Sequence, residues 1–295
     1  MFRGAGDAAV AMRALIIGNG INCFLDPALI FGWGPFPELG LTGAAVATTI
    51  GRGIGFMYAL HRLTHDSGHL RVGLRHVGIE PATMWRIAAL SGWGTLQVAL
   101  SSMSWIGLVR VVSMFGSTAM AGYTIAIRVL LFVLMPAFGI GAAASTMVGQ
   151  ALGAEDPSRA ERAVWIATKF NVLLLTSVGM LFLVGAPWII GLFSPDDAVV
   201  AVGVYGLRVI GLGFPLYAIG MVMEQSFNGA GDTRTPTWIN FISFWVVQIP
   251  LAWWLATRTP MAVRGVFVAV PIAYGALATA SALLFRRGAW KRRVV

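Results

Sequence analysis

The chain of 295 residues has little charge and almost no cysteine: 11% of its residues are charged and Cys23 is its single thiol. One cysteine excludes a disulfide framework. So little charge excludes a water-facing globular surface, which normally draws on about a quarter charged residues. No aspartate pair lies within the apolar stretches, which argues against a metal–diphosphate enzyme. No glycine-rich loop carries the Lys-Ser/Thr of a nucleotide cradle. A catalytic constellation is therefore missing, no cofactor is implied, and any energy coupling must draw on an ion gradient.

What the chain does hold is apolar length. Apolar residues make up 57% of it and mean hydropathy is +0.77, so the solvent for most of the surface is lipid. A bilayer-crossing helix takes roughly 20 mainly apolar residues. Eight such spans are expected near 8–31, 40–60, 85–112, 119–148, 163–185, 198–228, 234–256 and 262–285. They are too long and too continuously apolar for the alternating strands of a membrane barrel. The expected class is an all-α polytopic bundle.

The net charge of +9 is placed like that of a membrane protein rather than a nucleic-acid binder. With a cytoplasmic N-terminus and alternating spans, one side collects Arg3, Arg13, Arg62, Arg71, Arg75, Arg86, Arg159, Arg162 and Lys169. Arg234, Arg286, Arg287, Lys291, Arg292 and Arg293 complete that side, while the other receives only Arg258 and Arg264. That asymmetry puts both termini in the cytoplasm. A bacterial inner membrane is the expected home and the lipid bilayer the expected partner; the oligomeric state is not readable.

The chain also repeats itself. Gly-Ala-Gly-Asp occurs at Gly4–Asp7 and at Gly229–Asp232, each ahead of an apolar span. Asp26-Pro27 and Gly43-Ala44-Ala45 follow the first copy, and Ile249-Pro250 and Gly265-Val266-Phe267 follow the second at similar offsets. Such symmetry marks transporters built from duplicated helical bundles. Six spans separate the copies, so the repeat is parallel. The chain then reads as helices five to twelve of a twelve-helix, two-lobed protein, lacking about the first four. The expected division is 1–62 for the last two N-lobe helices, 63–82 for an inter-lobe linker, 83–287 for a six-helix C-lobe and 288–295 for a basic tail. The polar stretch from about His61 to Pro81 holds all four histidines, His61, His65 and His69 recurring every four residues and His76 further on. Gly68 breaks the helix and only Asp66 could support a metal, so a basic linker is the better reading.

Ionisable groups inside a membrane need a reason to be there. Asn22 and Asp26, four residues apart, share one helix face, and Pro27 frees a carbonyl one turn earlier, near Cys23. Together they form a candidate proton or small-cation site. Glu224 falls near a span end and reads as an interfacial charge or an arginine partner. Arg110 and Arg208 should snorkel, whereas Arg52 and Arg128 should pair with carboxylates or carbonyls. Trp33, Trp188, Trp253, Trp254 and Trp290 fit interfacial belts. The deeper Trp93, Trp105 and Trp245 are candidate cavity residues. Pro27, Pro136, Pro215, Pro250 and Pro271 within spans favour kinks beside a cavity.

Four stretches, taken together, resemble the multidrug and toxic compound extrusion (MATE) family. They are Arg3–Asp7 with Asn22–Pro27, Phe31–Gly40 with Gly43–Thr48, Ala143–Gly153, and Asn228–Pro236. The resemblance implies a twelve-helix antiporter that exports amphipathic, often cationic compounds in exchange for protons or sodium ions. It also implies a cation site in the N-lobe, to which Asn22 and Asp26 match the helix-five pair and Thr48 the helix-six threonine. Sodium-coupled relatives carry acids on helices seven and ten. Here span 85–112 has none, and Tyr217 stands where the second is expected; Tyr217 joins the cavity candidates. A lipid-linked or polar-metabolite flippase on a similar bundle, or an inactive membrane remnant, are the alternatives.

Overall fold

The structure is a computed structural model and describes Phe2, residues 7–65, Gly78 and residues 80–292. The described residues are helical without a strand and form two compact units, Met1–Glu80 and Pro81–Val295.

The first unit is a helical hairpin of α1 (Ala8–Phe31) and α2 (Leu41–His65). Asp7 starts α1, its carboxylate accepting from the Val10 amide at 3.3 Å. Gly32 ends it at φ +68°, where a Cβ would also press on Glu38 at 3.0 Å. The two helices meet at glycines: a Cβ on Gly43 would lie 2.3 Å from the Leu29 carbonyl, and one on Gly51 2.7 Å from that of Gly18. Hydrogen side chains thus bring the backbones within the close reach typical of membrane helices.

The second unit begins with α3 (Pro81–Val112), a short 3₁₀ turn and α4 (Gly116–Gly153). At roughly 1.5 Å per residue, Pro81–Gly153 is far too long for one crossing. α5 (Pro157–Gly191) is capped by Asp156, which accepts from the Arg159 amide at 2.9 Å. α6 (Asp197–Leu212) and α7 (Phe214–Gly229) meet at a 56° bend. Gly213 makes the bend possible, since a Cβ there would lie 2.6 Å from that of Pro271. After α8 (Arg234–Asn240) the backbone widens into a π-helix, Phe241–Gln248, before α9 (Ile249–Arg258) and α10 (Val263–Arg286). Pro250 accounts for the widening: its ring crowds the carbonyl four residues back, and a wider turn relieves the clash.

The core of this unit is α4 packed on α5, α6 and α7, with α10 against α6, α7 and α9, while α3 lies on α8 and the π segment. Small residues again set the distance. Gly229 lies so close to α4 that a Cβ would sit 2.2 Å from the Ser145 carbonyl.

Two of the duplicated landmarks, the aspartate and the later glycine, do the same physical work in both copies. Asp232 accepts from the Thr235 amide at 3.3 Å, three residues on, as Asp7 does from Val10. Gly265 would clash with the Leu255 backbone at 2.7 Å as Gly43 would with Leu29.

Four expectations change. Among the described residues five helical segments, or six with the bent pair counted as one span, are long and apolar enough to cross a membrane, and one of them, Pro81–Gly153, holds two of the eight expected spans, α3 and α4. Of the eight, the α2 span falls short of that measure of length and apolarity. Trp290 is no belt residue: it is 1% exposed, stacked on Phe285 at 4.8 Å, in a 3₁₀ turn over Ala289–Arg292. Lys291 in that turn pairs with Glu161 at 2.5 Å, so the chain beyond α10 folds back onto α5. Arg52 and Arg128 are exposed and have no polar partner among the described residues, while Arg208 donates to the Leu183 carbonyl at 2.9 Å.

Candidate functional site

The second unit holds a cavity of ≈ 510 Å³, walled by α3, α4, α7, α10 and the π segment. Its surface is mainly apolar and aromatic, with Trp105, Phe138, Phe244, Tyr217 and Tyr274 among its lining. The two tyrosine rings lie 4.3 Å apart. One carboxylate breaks this surface, that of Glu224 on α7.

Three chain segments converge on Glu224. Gln97 of α3 donates to its Oε1 at 2.5 Å, and Asn240, the last residue of α8, donates to the same oxygen at 2.8 Å. Asn240 also donates to the Ser101 hydroxyl of α3 at 3.1 Å. Both bonds to the carboxylate end on Oε1, which leaves Oε2 without a bonded donor among the described residues. The amides are buried: Gln97 is 6% exposed and Asn240 1%. Among the described residues no arginine joins the cluster: the partners of Glu224 are two amides rather than the arginine expected.

The π segment supports the same wall. Phe244 and Gln248 line the cavity, and Gln248 is buried. Wide turns of this kind concentrate at functional sites because they re-aim side chains without ending a helix.

The cavity candidates divide. Trp105 and Tyr217 line the cavity, whereas Trp93 and Trp245 do not; they hold α3 against the α8–π stretch. The Trp245 indole donates to the Leu100 carbonyl at 3.0 Å, the Trp93 carbonyl accepts from the Thr237 hydroxyl at 3.1 Å, and Arg234 sits over the Trp93 ring at 5.4 Å. Depth along a helix places a tryptophan in the membrane but does not say which way it faces.

In the first unit, Asn22 and Asp26 are half-buried on α1. The Oδ1 atom of each is buried and has no hydrogen-bond partner among the described residues. Asn22 Oδ1 faces α2, 3.4 Å from where a Gly51 Cβ would stand. Thr48 is half-buried on α2 and makes no hydrogen bond to either residue among the described residues. His61 and His65 stack at 4.9 Å, whereas His69 and His76 lie outside the described residues. Among the described residues no group of three metal-ligating side chains occurs.

Known proteins share this arrangement of helices. The probable multidrug resistance protein NorM of Thermotoga maritima is 28% identical over all of this chain and 63% of its own length. The probable multidrug resistance protein YoeA of Bacillus subtilis is 26% identical over 92% of this chain and 59% of its own. The chain thus spans about three fifths of the length of these curated relatives. Among solved structures, an outward-facing multidrug resistance MATE family transporter superposes with a TM-score of 0.88 at 24% identity, over 99% of this chain and 65% of that one. A MATE crystal structure in the straight conformation gives 0.90 at 24% identity, with the same coverage. At that identity the likeness speaks for the fold. The MatE family model matches residues 95–254, a stretch that contains Gln97, Ser101, Glu224 and Asn240. That match covers more than half of the chain and takes in the cavity's polar cluster: this multi-pass, all-helical membrane protein belongs to the MatE family.

Proposed function

We propose that this chain works in secondary active antiport, exporting amphipathic or cationic compounds across a bacterial inner membrane in exchange for protons or sodium ions. No bound cofactor beyond the coupling ion is needed. Glu224 carries the reading: a carboxylate on an aromatic cavity wall, held through one oxygen by two buried amides. Its second oxygen is left for a proton, a metal cation or the charged end of a cargo molecule.

The magnitudes permit proton exchange. An acid within a membrane helix costs about 2.5–3.5 kcal/mol on insertion scales. Two hydrogen bonds to a charged acceptor return roughly 1.5–3 kcal/mol each. Together the two bonds, about 3–6 kcal/mol, offset that cost, so a charged carboxylate is tolerated here. An occupant of the cavity can therefore displace a proton at little cost. The rings of Trp105, Tyr217 and Tyr274 suit flat organic cations, by stacking and by attraction to the ring faces.

Asn22 and Asp26 form the second element of this reading. Two buried, unpaired acceptors one turn apart would be satisfied by a proton on Asp26 or by a small cation between them, with Thr48 one turn from Gly51 on the facing helix. The basic side of the bundle faces the cytoplasm, with both termini there. Binding must favour one of two packings of the bundle if it is to move cargo, so the ion and the cargo must differ in affinity between them.

The test is efflux of a fluorescent organic cation from everted vesicles, driven by an imposed pH or sodium gradient. Glu224→Gln and Asp26→Asn each keep size and polarity. Each should cut gradient-driven transport at least tenfold while leaving the protein folded. Unaltered exchange in both variants refutes the proposal.

A further inference from the structure

A second recess lies on the outer wall of the Pro81–Val295 unit, away from the Glu224 cavity. It is a groove of ≈ 670 Å³ between α5, α7 and α10, lined by Trp165, Thr168, Lys169, Val172, Thr176 and Ile219 among others. The surrounding face of α5 is greasy: Ile166, Phe170 and Leu173 are 55%, 63% and 66% exposed. This is the surface of a helix bathed in acyl chains.

The groove is polarised along its length. Its lining from Val172 to Thr176 is apolar apart from one hydroxyl, while Lys169 and Trp165 lie towards the start of α5. Arg162 lies three residues before Trp165 and seven before Lys169, a spacing that places all three on one helix face. On the opposite wall Ala282 lines the groove, and Arg286 follows one turn later. Lys169, Arg162 and Arg286 are all exposed. Of the acids near this end, Glu161 is engaged by Lys291 and Asp156 is tied to Ser158 and the Arg159 amide with Arg162 nearby, so Lys169 and Arg286 supply most of the charge left for a ligand.

Depth agrees with charge. α5 has 35 residues, about 52 Å at 1.5 Å per residue, while the hydrocarbon core takes roughly 20 residues. Counting about 20 residues back from the belt residue Trp188, 87% exposed, puts the core boundary close to Lys169. Helical side chains lean towards the N-terminus, so the Lys169 ammonium is carried outward to the phosphate level. Trp165, 39% exposed, sits where an indole anchors at an interface.

We infer that this groove is a binding site for an anionic phospholipid of the leaflet at the Pro157 end of α5. Its phosphate would sit among Lys169, Arg162 and Arg286, and one acyl chain would lie along Val172, Thr176 and Ile219. Basic recesses between membrane helices suit anionic headgroups, and each basic residue near the surface contributes roughly fivefold in affinity. A zwitterionic lipid fits the apolar channel equally well but gains less from the cations, because its own ammonium offsets its phosphate. The inference is independent of the antiport reading.

Native mass spectrometry of the purified protein, released from nanodiscs of mixed phosphatidylcholine and phosphatidylglycerol, tests it. The expected result is preferential retention of phosphatidylglycerol, weakened about fivefold by Lys169→Gln and further by adding Arg286→Gln. Arg264→Gln, a basic residue outside the groove, should change nothing. Val172→Trp fills the channel without touching the charges and should also reduce retention. Gel filtration checks that each variant stays folded, and the surface position of Lys169 and Arg286 makes loss of fold unexpected. Equal retention of the two lipids by the native chain overturns the proposal, and so does undiminished phosphatidylglycerol binding in Lys169→Gln/Arg286→Gln.

Discussion

Replacing Glu224 by alanine and by glutamine should have different consequences, and the hydrogen-bond geometry says how different. Glutamine keeps an oxygen where Oε1 stands, so Gln97 and Asn240 retain their acceptor. The two bonds weaken from charge-assisted to neutral strength, a loss of about 1 kcal/mol each. Removing the charge from an apolar cavity offsets that loss, since an unpaired carboxylate in hydrocarbon costs about as much. The net change in stability for Glu224→Gln should therefore be close to zero. Alanine removes the acceptor altogether and strands two buried amide donors, each costing roughly 1–3 kcal/mol. Water entering the cavity recovers part of this, which leaves an expected loss of about 2 kcal/mol. The loss falls on the junction of α3, α7 and α8, where Asn240 would keep only its bond to Ser101. Thermal unfolding in nanodiscs, followed by tryptophan fluorescence, measures both variants; for a chain of this size about 2 kcal/mol corresponds to several degrees in Tm. Trp105 and Trp245 lie beside the junction and report on it. Equal stability of the two variants would refute the reasoning, because it would mean the amides do not depend on that oxygen.

Three further outcomes follow from the packing. Gly229→Val should separate α4 from α7, because a Cβ at 2.2 Å from the Ser145 carbonyl meets backbone that cannot rotate away; a loss of at least about 1–3 kcal/mol is expected in the same unfolding assay. Trp290→Ala removes an indole that is stacked on Phe285 and bonded to its carbonyl at 3.0 Å, at a cost of about 3–5 kcal/mol; limited trypsinolysis should then cut after Arg286 and Arg287 much faster. The Asp156 carboxyl is held below the usual carboxylate range by the Ser158 hydroxyl and the Arg159 amide, with Arg162 and Arg159 adding smaller help. A lowered value in the folded state means the cap contributes above the ordinary carboxylate range and fades as pH falls through the lowered value. Amide exchange at Arg159, corrected for its intrinsic rate, should accelerate in that acid window, and Asp156→Ala should erase the dependence.

Glu224 shows why part of the site was illegible in the chain. Gln97 and Glu224 are 127 positions apart, and Asn240 a further 16 beyond Glu224. Nothing in the spacing of a polar residue on one apolar span says which polar residue on another it meets. The acid was visible as an anomaly near a span end, where an interfacial role was the nearer explanation. Gln97 attracted no notice, because an amide is neutral and cheap in a composition count. That Asn22 and Asp26 share a helix face was legible for the opposite reason: residues four apart on one helix do so whatever the tertiary structure does. The tryptophans divide in the same way. Trp188 and Trp254, at span ends, stay exposed at 87% and 52%, while Trp290, equally terminal, is buried because the chain turns back onto α5.

Composition and local order were decided along the chain itself: apolar length demands helices in lipid, and each aspartate of the duplicated Gly-Ala-Gly-Asp caps the amide three residues on, because that bond closes within one turn. Part of the duplication was readable for the same reason, since Gly43 and Gly265 recur where two backbones touch. Helix rotation was not readable. Only the packed bundle determined that Glu224 turns inward to two amides while the Trp93 ring meets Arg234 of α8 and the Trp245 indole meets α3. In a span that is apolar all round, hydrophobic periodicity carries little information about facing, and small-residue contacts with polar pairing set the angle.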